Sequence, residues 1–525
     1  MSDATAGIIF DRLEHWATVK PDQAAMTFQG TEYTWAQWRE RILKIAAALA
    51  ESGIRAGDTV AFVDKNHLSC LEVTYAASLL GAANVVPNWR LSSEELDYVL
   101  ADCGARILFV GSELLPQIVA MRDRLTAVES IFAVGGEHDE FEPWIDEVTP
   151  LSSRPEVSPD ATALVLYSSG TTGRPKGVQL THRNLFAHSN SVLEILPAHE
   201  DHRFLIAMPM FHVGGTCYAI MGIHAGGRCY FTREADGPSI FAGLAAGANI
   251  AFLVPPVIAG VLAAGEQAVA AFKAFKRITY GAAPMPLPLL RAALAAWPDT
   301  EFVQVYGMTE MAGVVTALMP DVHRDESQIE RMASAGTAIP GVEMRVVDPV
   351  TLEDVPTGTT GELWWRSEQC TPGYLGKPEA TAETITADGW LRSGDMGRAD
   401  SGGFVFIEDR LKDMIITGGE NVYSPEIERV LVEHPAIAEV AVIGVPDDRW
   451  GETVKAVVVL TGDAQIDEAE LITYTQERLA KFKCPTSIDV VEILPRNPTG
   501  KILKRDLRKP YWENREHKLV WDPVL

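Results

Sequence analysis

The sequence predicts an α/β fold: a large N-terminal domain of parallel-rich sheets covered by helices, residues 1–409, then a smaller α+β C-terminal domain, residues 410–525. Three observations predict it. Apolar runs of strand length alternate with amphipathic stretches over roughly 400 residues, the pattern of parallel strands covered by helices on both faces. At 525 residues the chain is too long for one ordinary core. A charged break at residues 408–413 separates that alternation from a final unit of about 115 residues, a normal domain size.

In chain order, Thr34 and Gln37 form a capping-box pair ahead of a helix that carries Ile42, Ile45, Ala46 and Leu49 on one face and is closed by Gly53. A strand at 59–63, a helix over 67–80 and a short strand at 83–86 follow. Ser92 and Glu95 cap the next helix, and a strand at 107–110 continues the alternation. Apolar residues 163–166 lead into a polar loop, after which Thr181 is an N-cap for a helix through Asn184 and Leu185. Residues 237–265 carry no charge and are long enough for a membrane span. Pro255 and Pro256 break them and Asn249 interrupts them, so they divide into a helix (239–247), a buried strand (250–254) and a helix (256–264). Strands at 277–280 and 302–305 complete the large domain. Beyond Ile407 the cluster Glu408, Asp409, Arg410, Lys412 and Asp413 precedes a strand at 414–417, and Ser424, Pro425 and Glu426 start a helix as N-cap, first-position proline and first-turn acid. Strands at 440–445 and 455–460, a helix over 468–479 and a strand at 488–493 follow. The loop PRNPTGK (495–501) carries Lys501 at its tip.

Lys and Arg number 45 against 71 Asp and Glu, a net charge of −26, which disfavours nucleic acid and anionic membranes as general partners. Six scattered cysteines without a CxxC pair read as reduced thiols of a cytoplasmic protein. The N-terminus shows no secretion signal, and no integral membrane segment is expected.

Five motifs carry chemistry. Residues 167–178, YSSGTTGRPKGV, form a loop between strands. Ser168, Ser169, Thr171 and Thr172 supply hydroxyls, Gly170, Gly173 and Gly177 allow close backbone approach, and Lys176 adds a cation, a set suited to a polyphosphate. It is not the P-loop signature, because Pro175 precedes Lys176 and Gly177 follows it. MPMFHVGG (208–215) ends an apolar strand and places His212 in a glycine-rich turn, where a satisfied core histidine is the plain alternative. GAAP (281–284) offers Gly281, Ala282 and Ala283 as a small-residue surface for a flat base or an acyl group. YGMTE (306–310) presents the ring of Tyr306, close approach at Gly307, Met308, the Thr309 hydroxyl and Glu310, a hard oxygen ligand suited to Mg²⁺; alone it reads as a helix start with an acidic first turn. In RSGD (392–395), Asp395 is a charged acceptor able to bind both hydroxyls of a ribose, or a turn aspartate.

Taken together these strings resemble the adenylate-forming enzymes, the superfamily of AMP-dependent acyl-CoA synthetases, peptide-synthetase adenylation domains and firefly luciferase, over roughly residues 10–510. The resemblance implies ATP, Mg²⁺ and coenzyme A, with a small-molecule carboxylic acid as substrate. It assigns catalytic roles to Lys501, His212, Thr172, Glu310 and Arg410, and metal binding to Thr172 and Glu310. ATP would lie among Ser168 to Gly173, Lys176, Gly281 to Ala283, Tyr306 to Thr309, Asp395 and Arg410. It also implies that the small domain swings about Lys412, withdrawing Lys501 and presenting Gly418, Gly419, Glu420 and Asn421 to the arm of coenzyme A; relatives with Asp at the hinge differ there. FHVGG lacks an aspartate to anchor an α-amino group, and only 24 residues follow Lys501, so an amino-acid adenylation domain and a fused carrier domain are disfavoured. Small and apolar residues at 212–215, 282–283 and 308–314 fit an alkyl or aryl tail, with medium- or long-chain fatty acids first and aryl or alicyclic acids second. An acyl-AMP ligase that serves a carrier protein is the rival within the class, a non-catalytic binding protein the rival outside it. A homodimer is compatible with the sequence and not required by it.

Overall fold

Helix Leu68–Leu79 is buried along its whole length. Apart from Tyr75 and Glu72, which pairs with Arg41 at 2.9 Å, its residues are apolar or small on every side. The residues around it build the first of two units into which the chain divides: Met1–Met344, Trp364–Arg392 and Gly403–Val405 form one, and Arg345–Leu363, Ser393–Gly402 and Phe406–Leu525 the other. The computed structural model describes residues 7–168, 174–199, 201–283, 285–411, 413–417, 420–447, 450–462, 464, 466–496 and 502–513, with the backbone alone at Asp409, Arg410, Ile416, Glu420 and Asn421.

The first unit holds two large sheets. One has six strands in the order Ser130–Val134, Ile107–Gly111, Thr59–Val63, Ala83–Val85, Thr162–Ser168 and Lys176–Thr181, all parallel except the last pair. The other has nine, in the order Thr337–Ala338, Gly313–Leu318, Glu301–Met308, Arg277–Gly281, Ile250–Leu253, Arg203–Ile206, Arg228–Phe231, Ala24–Phe28 and Thr31–Thr34. Its centre is parallel and its two margins antiparallel. Parallel strands buried on both faces demand apolar runs, and Leu205, Ala251, Ile278, Tyr280 and Phe302 pack with Phe272 and Trp297 of the covering helices.

Local sequence chemistry set these elements as expected. The Thr34 and Gln37 box caps helix Trp35–Glu51, and Ser92 with Glu95 caps helix Ser93–Cys103. The uncharged stretch resolves into helix Gly237–Ala245, strand Ile250–Leu253 and helix Pro255–Ala263. Asn249 earns its place by side-chain bonds to the Arg203 N–H (2.8 Å) and the Asp201 carbonyl (2.8 Å). Among the described residues, no helix is long and apolar enough to cross a membrane.

In the second unit, strands Glu420–Val422, Ile415–Thr417, Gly451–Leu460 and Ile437–Asp447 form a sheet, with Ser487–Val490 pairing parallel to Gly451–Leu460. Here three sequence expectations are corrected. Helix Ser424–Val432 has Tyr423 as its N-cap, because the Ser424 hydroxyl is engaged by the Lys504 ammonium instead of the helix N-terminus. The helix after residue 467 ends at Gln476, and the last strand ends at Val490.

Four of the histidines buried in the first unit are His182, His188, His224 and His323. Desolvation holds the first two and His323 at about 4 and His224 at about 3, against 6.5 for a free imidazole. The folded chain keeps them neutral where the unfolded chain binds protons. Their contribution is therefore complete above pH 6.5 and is lost as pH falls toward 4, by on the order of 1 kcal/mol per pH unit for each. Urea midpoints measured from about pH 7.5 down to pH 5 are expected to fall steadily below 6.5; a flat profile would contradict this assignment.

Candidate active site

Strand Thr162–Ser168 ends beside the start of strand Lys176–Thr181, with Ser168 and Lys176 paired in register. Residues 169–173, which include Ser169, Gly170, Thr171, Thr172 and Gly173, lie outside the described residues. The Ser168 hydroxyl donates to Glu310 Oε1 at 3.2 Å, joining two motifs that are 142 residues apart. Glu310 sits in a short 3-10 turn, Thr309–Met311, that closes a hairpin between strands Glu301–Met308 and Gly313–Leu318. YGMTE is thus a strand end and a hairpin tip, and the alternative reading as a helix start is corrected: Ala312 takes a left-handed conformation (φ 53°) and turns the chain back. Gly307 is required by that return, since a Cβ there would lie 1.7 Å from the Gly313 carbonyl oxygen.

Tyr374 completes the group. Its hydroxyl donates to Glu310 Oε1 at 3.0 Å, its ring lies 5.0 Å from the Lys176 ammonium, and residue 374 pairs antiparallel with Val178. Thr371 N–H donates to the Glu310 carbonyl at 2.8 Å. Among the described residues, Glu310 Oε2 receives no hydrogen bond. A carboxylate with one oxygen fixed and one open suits a hard cation that keeps waters and phosphate oxygens as its other ligands. No described cluster of three or more acids, histidines or cysteines could hold a metal by protein groups alone.

Helix Ser93–Cys103 grips both margins of the segment 168–176. Tyr167 donates its hydroxyl to Asp102 Oδ2 at 2.8 Å, and Lys377 donates to Asp102 Oδ1 at 2.6 Å. One turn earlier, Tyr98 donates to the Pro175 carbonyl at 3.3 Å and stacks under Arg174, 4.9 Å from its ring. Tyr98 and Asp102, four apart, share one helix face.

His212 is the N-cap of helix Val213–His224 and not a turn residue; its Nδ1 accepts from the Gly214 N–H at 3.0 Å, and burial lowers its pKa to about 4. Gly214 lies against Phe252, with 2.5 Å left for a Cβ. The loop before His212 is pinned by Asn66, which donates to the Ala207 and Met208 carbonyls (3.2 and 3.0 Å) and accepts from the Met210 N–H (2.9 Å). Gly281 ends its strand, Ala282 adopts a positive φ of 65° and Ala283 is exposed. Tyr306 contacts the ring of Trp365 at 6.0 Å.

In the second unit Asp395 is buried on strand Leu391–Ala399, its N–H bound to Ser393 Oγ at 3.0 Å. The turn before it is held by Glu362, which accepts from Gly394 N–H at 2.9 Å, and by a Leu411 N–H bond to the Gly394 carbonyl at 2.9 Å. The backbones of Asp395 and Arg410 are thereby neighbours. Lys412, Gly418, Gly419 and Lys501 lie outside the described residues, as do the side chains of Arg410, Glu420 and Asn421. The segment 497–501 is bracketed by an antiparallel bridge between Arg496 and Ile502. Lys504 pairs with Glu428 at 2.8 Å, and Arg508 with Asp413 at 2.6 Å, fastening helix Lys504–Trp512 to its own unit.

Tyr374, Asn66, Tyr98 and Asp102 were not found from the sequence. Each is a single polar residue without a motif around it, and only the fold places it against a motif.

The AMP-binding enzyme family matches residues 13–375, and the AMP-binding enzyme C-terminal domain matches residues 426–501. The chain belongs to this AMP-binding enzyme family and is an ATP-dependent ligase. It is 35% identical to a fatty acid–[acyl-carrier-protein] ligase, ScoC, of Streptomyces coeruleorubidus, over 95% of this chain and 96% of that one. It is 36% identical to a feruloyl-CoA synthase of an Amycolatopsis species, over 94% and 97%. Among solved structures, ATP-bound MatB from Rhodopseudomonas palustris superimposes with a TM-score of 0.87 at 28% identity, covering 96% of this chain and 99% of that one.

Replacing Asp102 by Ala strips the Tyr167 hydroxyl and the Lys377 ammonium of their shared acceptor. Stability is expected to fall by about 1–3 kcal/mol, toward the lower end because Lys377 is partly exposed. An unchanged urea midpoint would show that the helix does not hold the two strand ends.

Proposed function

We propose that the chain is an AMP-forming acyl-CoA synthetase, converting a carboxylic acid, ATP and coenzyme A to an acyl thioester, AMP and pyrophosphate. The observation that carries this reading is the hydrogen bond from Ser168, at the mouth of the hydroxyl-rich segment, to Glu310 at the hairpin tip. It sets the Ser168 hydroxyl beside a carboxylate with an oxygen open among the described residues, at the carboxyl ends of strands from two different sheets, where α/β folds bind ligands.

In the first half-reaction a carboxylate oxygen of the acid attacks the α-phosphorus of ATP, the bond to the bridging oxygen breaks, and pyrophosphate leaves. Two unit negative charges held about 4 Å apart at an effective dielectric near 20 repel by about 4 kcal/mol, so cations must stand where they meet. Lys501 is assigned that place between acyl carboxylate and α-phosphate, with Arg410 beside the ribose and Asp395 accepting from its hydroxyls. Lys176 and the hydroxyls of Ser168, Ser169, Thr171 and Thr172 hold the leaving phosphates. Mg²⁺, held by Glu310 and Thr172, would offset phosphate charge when bound. Tyr306 and residues 281–283 flank the adenine, with Gly307, Met308 and Thr309 beside the α-phosphate, and His212 stands at the acid.

In the second half-reaction the thiol sulfur of coenzyme A attacks the acyl carbonyl, the bond to the AMP phosphate breaks, AMP leaves and the thiol proton goes to solvent. The domain from residue 410 onward is assigned a swing about Lys412 that exchanges Lys501 for Gly418, Gly419 and Glu420. The acid is assigned an apolar tail: medium- or long-chain fatty acids first, aryl or alicyclic acids second. Transfer to a carrier protein in place of coenzyme A is the second reading, and it is supported by the carrier-protein ligase among the relatives.

A panel of carboxylic acids scored for pyrophosphate release with and without coenzyme A tests the reading. Acid-dependent release with thioester formed from free coenzyme A is expected; acyl-AMP that accumulates without thioester would favour the carrier-protein reading, and no release with any acid would refute both. Lys501→Ala is expected to lose adenylation by at least about 100-fold while still converting supplied acyl-AMP to thioester. Equal loss of both steps would refute the division of labour between the two faces of the small domain.

A further inference from the structure

His188 lies midway along helix His182–Ile195 and is 4% exposed, yet among the described residues neither of its ring nitrogens has a hydrogen-bond partner. The other buried histidines of this unit are partnered. His182 accepts from the Ile9 N–H, His224 pairs with Asn190, and His323 pairs with Tyr280 and the Met319 carbonyl. A buried polar group left without a partner is costly, and a residue with two such atoms calls for a function.

The surroundings of the ring give one. Nε2 lies against Gly313, where a Cβ would come within 2.7 Å of it, and Gly313 has a φ of 130° that disfavours any side chain. Gly313 begins the strand that returns from the Glu310 tip and pairs with Met308. Helix His182–Ile195 packs on helix Val213–His224, which starts at His212, and on strand Gly313–Leu318. The imidazole therefore sits against one of the segments, 308–314, that the ligase reading gives to the acid. Gly313 brings no side chain to the ring, and a plain hydrocarbon tail would leave both nitrogens unsatisfied.

Burial keeps this imidazole neutral, with one N–H donor and one bare acceptor nitrogen. A hydroxyl is the small group that can answer either one, accepting from the N–H or donating to the bare nitrogen as tautomer and approach require. An ether or carbonyl can only accept, and a hydrocarbon can do neither.

We infer that His188 is a specificity-determining residue of the acid site, and that the acid it selects carries a hydroxyl on an otherwise apolar tail; this rests on the ligase reading. The hydroxyl source is either aryl or aliphatic, and matched pairs separate the two: cinnamate against 4-hydroxycinnamate, and octanoate against 8-hydroxyoctanoate. The readout is kcat/KM by pyrophosphate release in the full-length enzyme with coenzyme A, for wild type, His188→Phe and His188→Gln. Phe keeps the ring volume without the nitrogens, and Gln restores a donor and an acceptor.

Wild type is expected to prefer the hydroxylated member of one pair by about tenfold or more. In His188→Phe that preference is expected to fall to about unity while KM for ATP stays within about twofold, and in His188→Gln to return in part. A preference that survives in His188→Phe, or wild type favouring the unhydroxylated member of both pairs, would overturn the inference and leave the ligase reading standing. The wild-type ratios decide even where the Phe variant does not fold. No acid-dependent pyrophosphate release with any member would overturn the ligase reading and the inference with it.

Discussion

The Glu310 carboxylate, fixed at a hairpin tip by hydroxyl donors from Ser168 and Tyr374, is the interaction on which the site depends. Both donors reach the same oxygen, which leaves the other free of described partners. The three residues come from segments separated by 142 and 64 positions, so only the packing of the two sheets of the first unit brings them together. Ser168 and Met308 each close a strand whose other neighbour is parallel, and that is the end of a sheet at which loops converge and backbone groups stay free for a ligand.

Around this contact, rigid support is assembled from groups with no chemistry of their own. Asp102 ties Tyr167 to Lys377, Tyr98 holds the Pro175 carbonyl, and Asn66 fixes the loop leading to His212 through three backbone bonds. Asn66 in particular satisfies backbone groups of Ala207, Met208 and Met210 that would otherwise be buried without partners. The result is that the strand ends flanking the hydroxyl-rich segment are set by the scaffold, as catalytic geometry requires.

Much of the fold was legible in the sequence because local signals and burial agreed. N-caps at Thr34, Ser92 and Thr181 mark helix starts that depend on one side chain reaching a backbone N–H three residues on, and the structure has all three. The uncharged 237–265 stretch was read correctly because proline and asparagine impose breaks whatever the tertiary context. Ser424 shows where such reading stops. Its sequence setting is that of an N-cap, but Lys504, 80 residues later, claims the hydroxyl. The same limit hid Tyr374, Asn66 and Asp102, whose roles come from partners far along the chain, whereas Ser168, Lys176 and Glu310 stood out because each lies in a dense local motif. His212 stood out too, yet its position as a helix N-cap was missed, since a histidine is an unusual cap and the glycines after it suggest a turn.

A crystal structure of the protein with bound ATP tests the central claim most directly. The account predicts the triphosphate between the facing ends of strands Thr162–Ser168 and Lys176–Thr181, with a phosphate-bound cation within coordination distance of Glu310. A triphosphate bound elsewhere, with Glu310 still closed on Ser168 and Tyr374 and no phosphate near it, would contradict it.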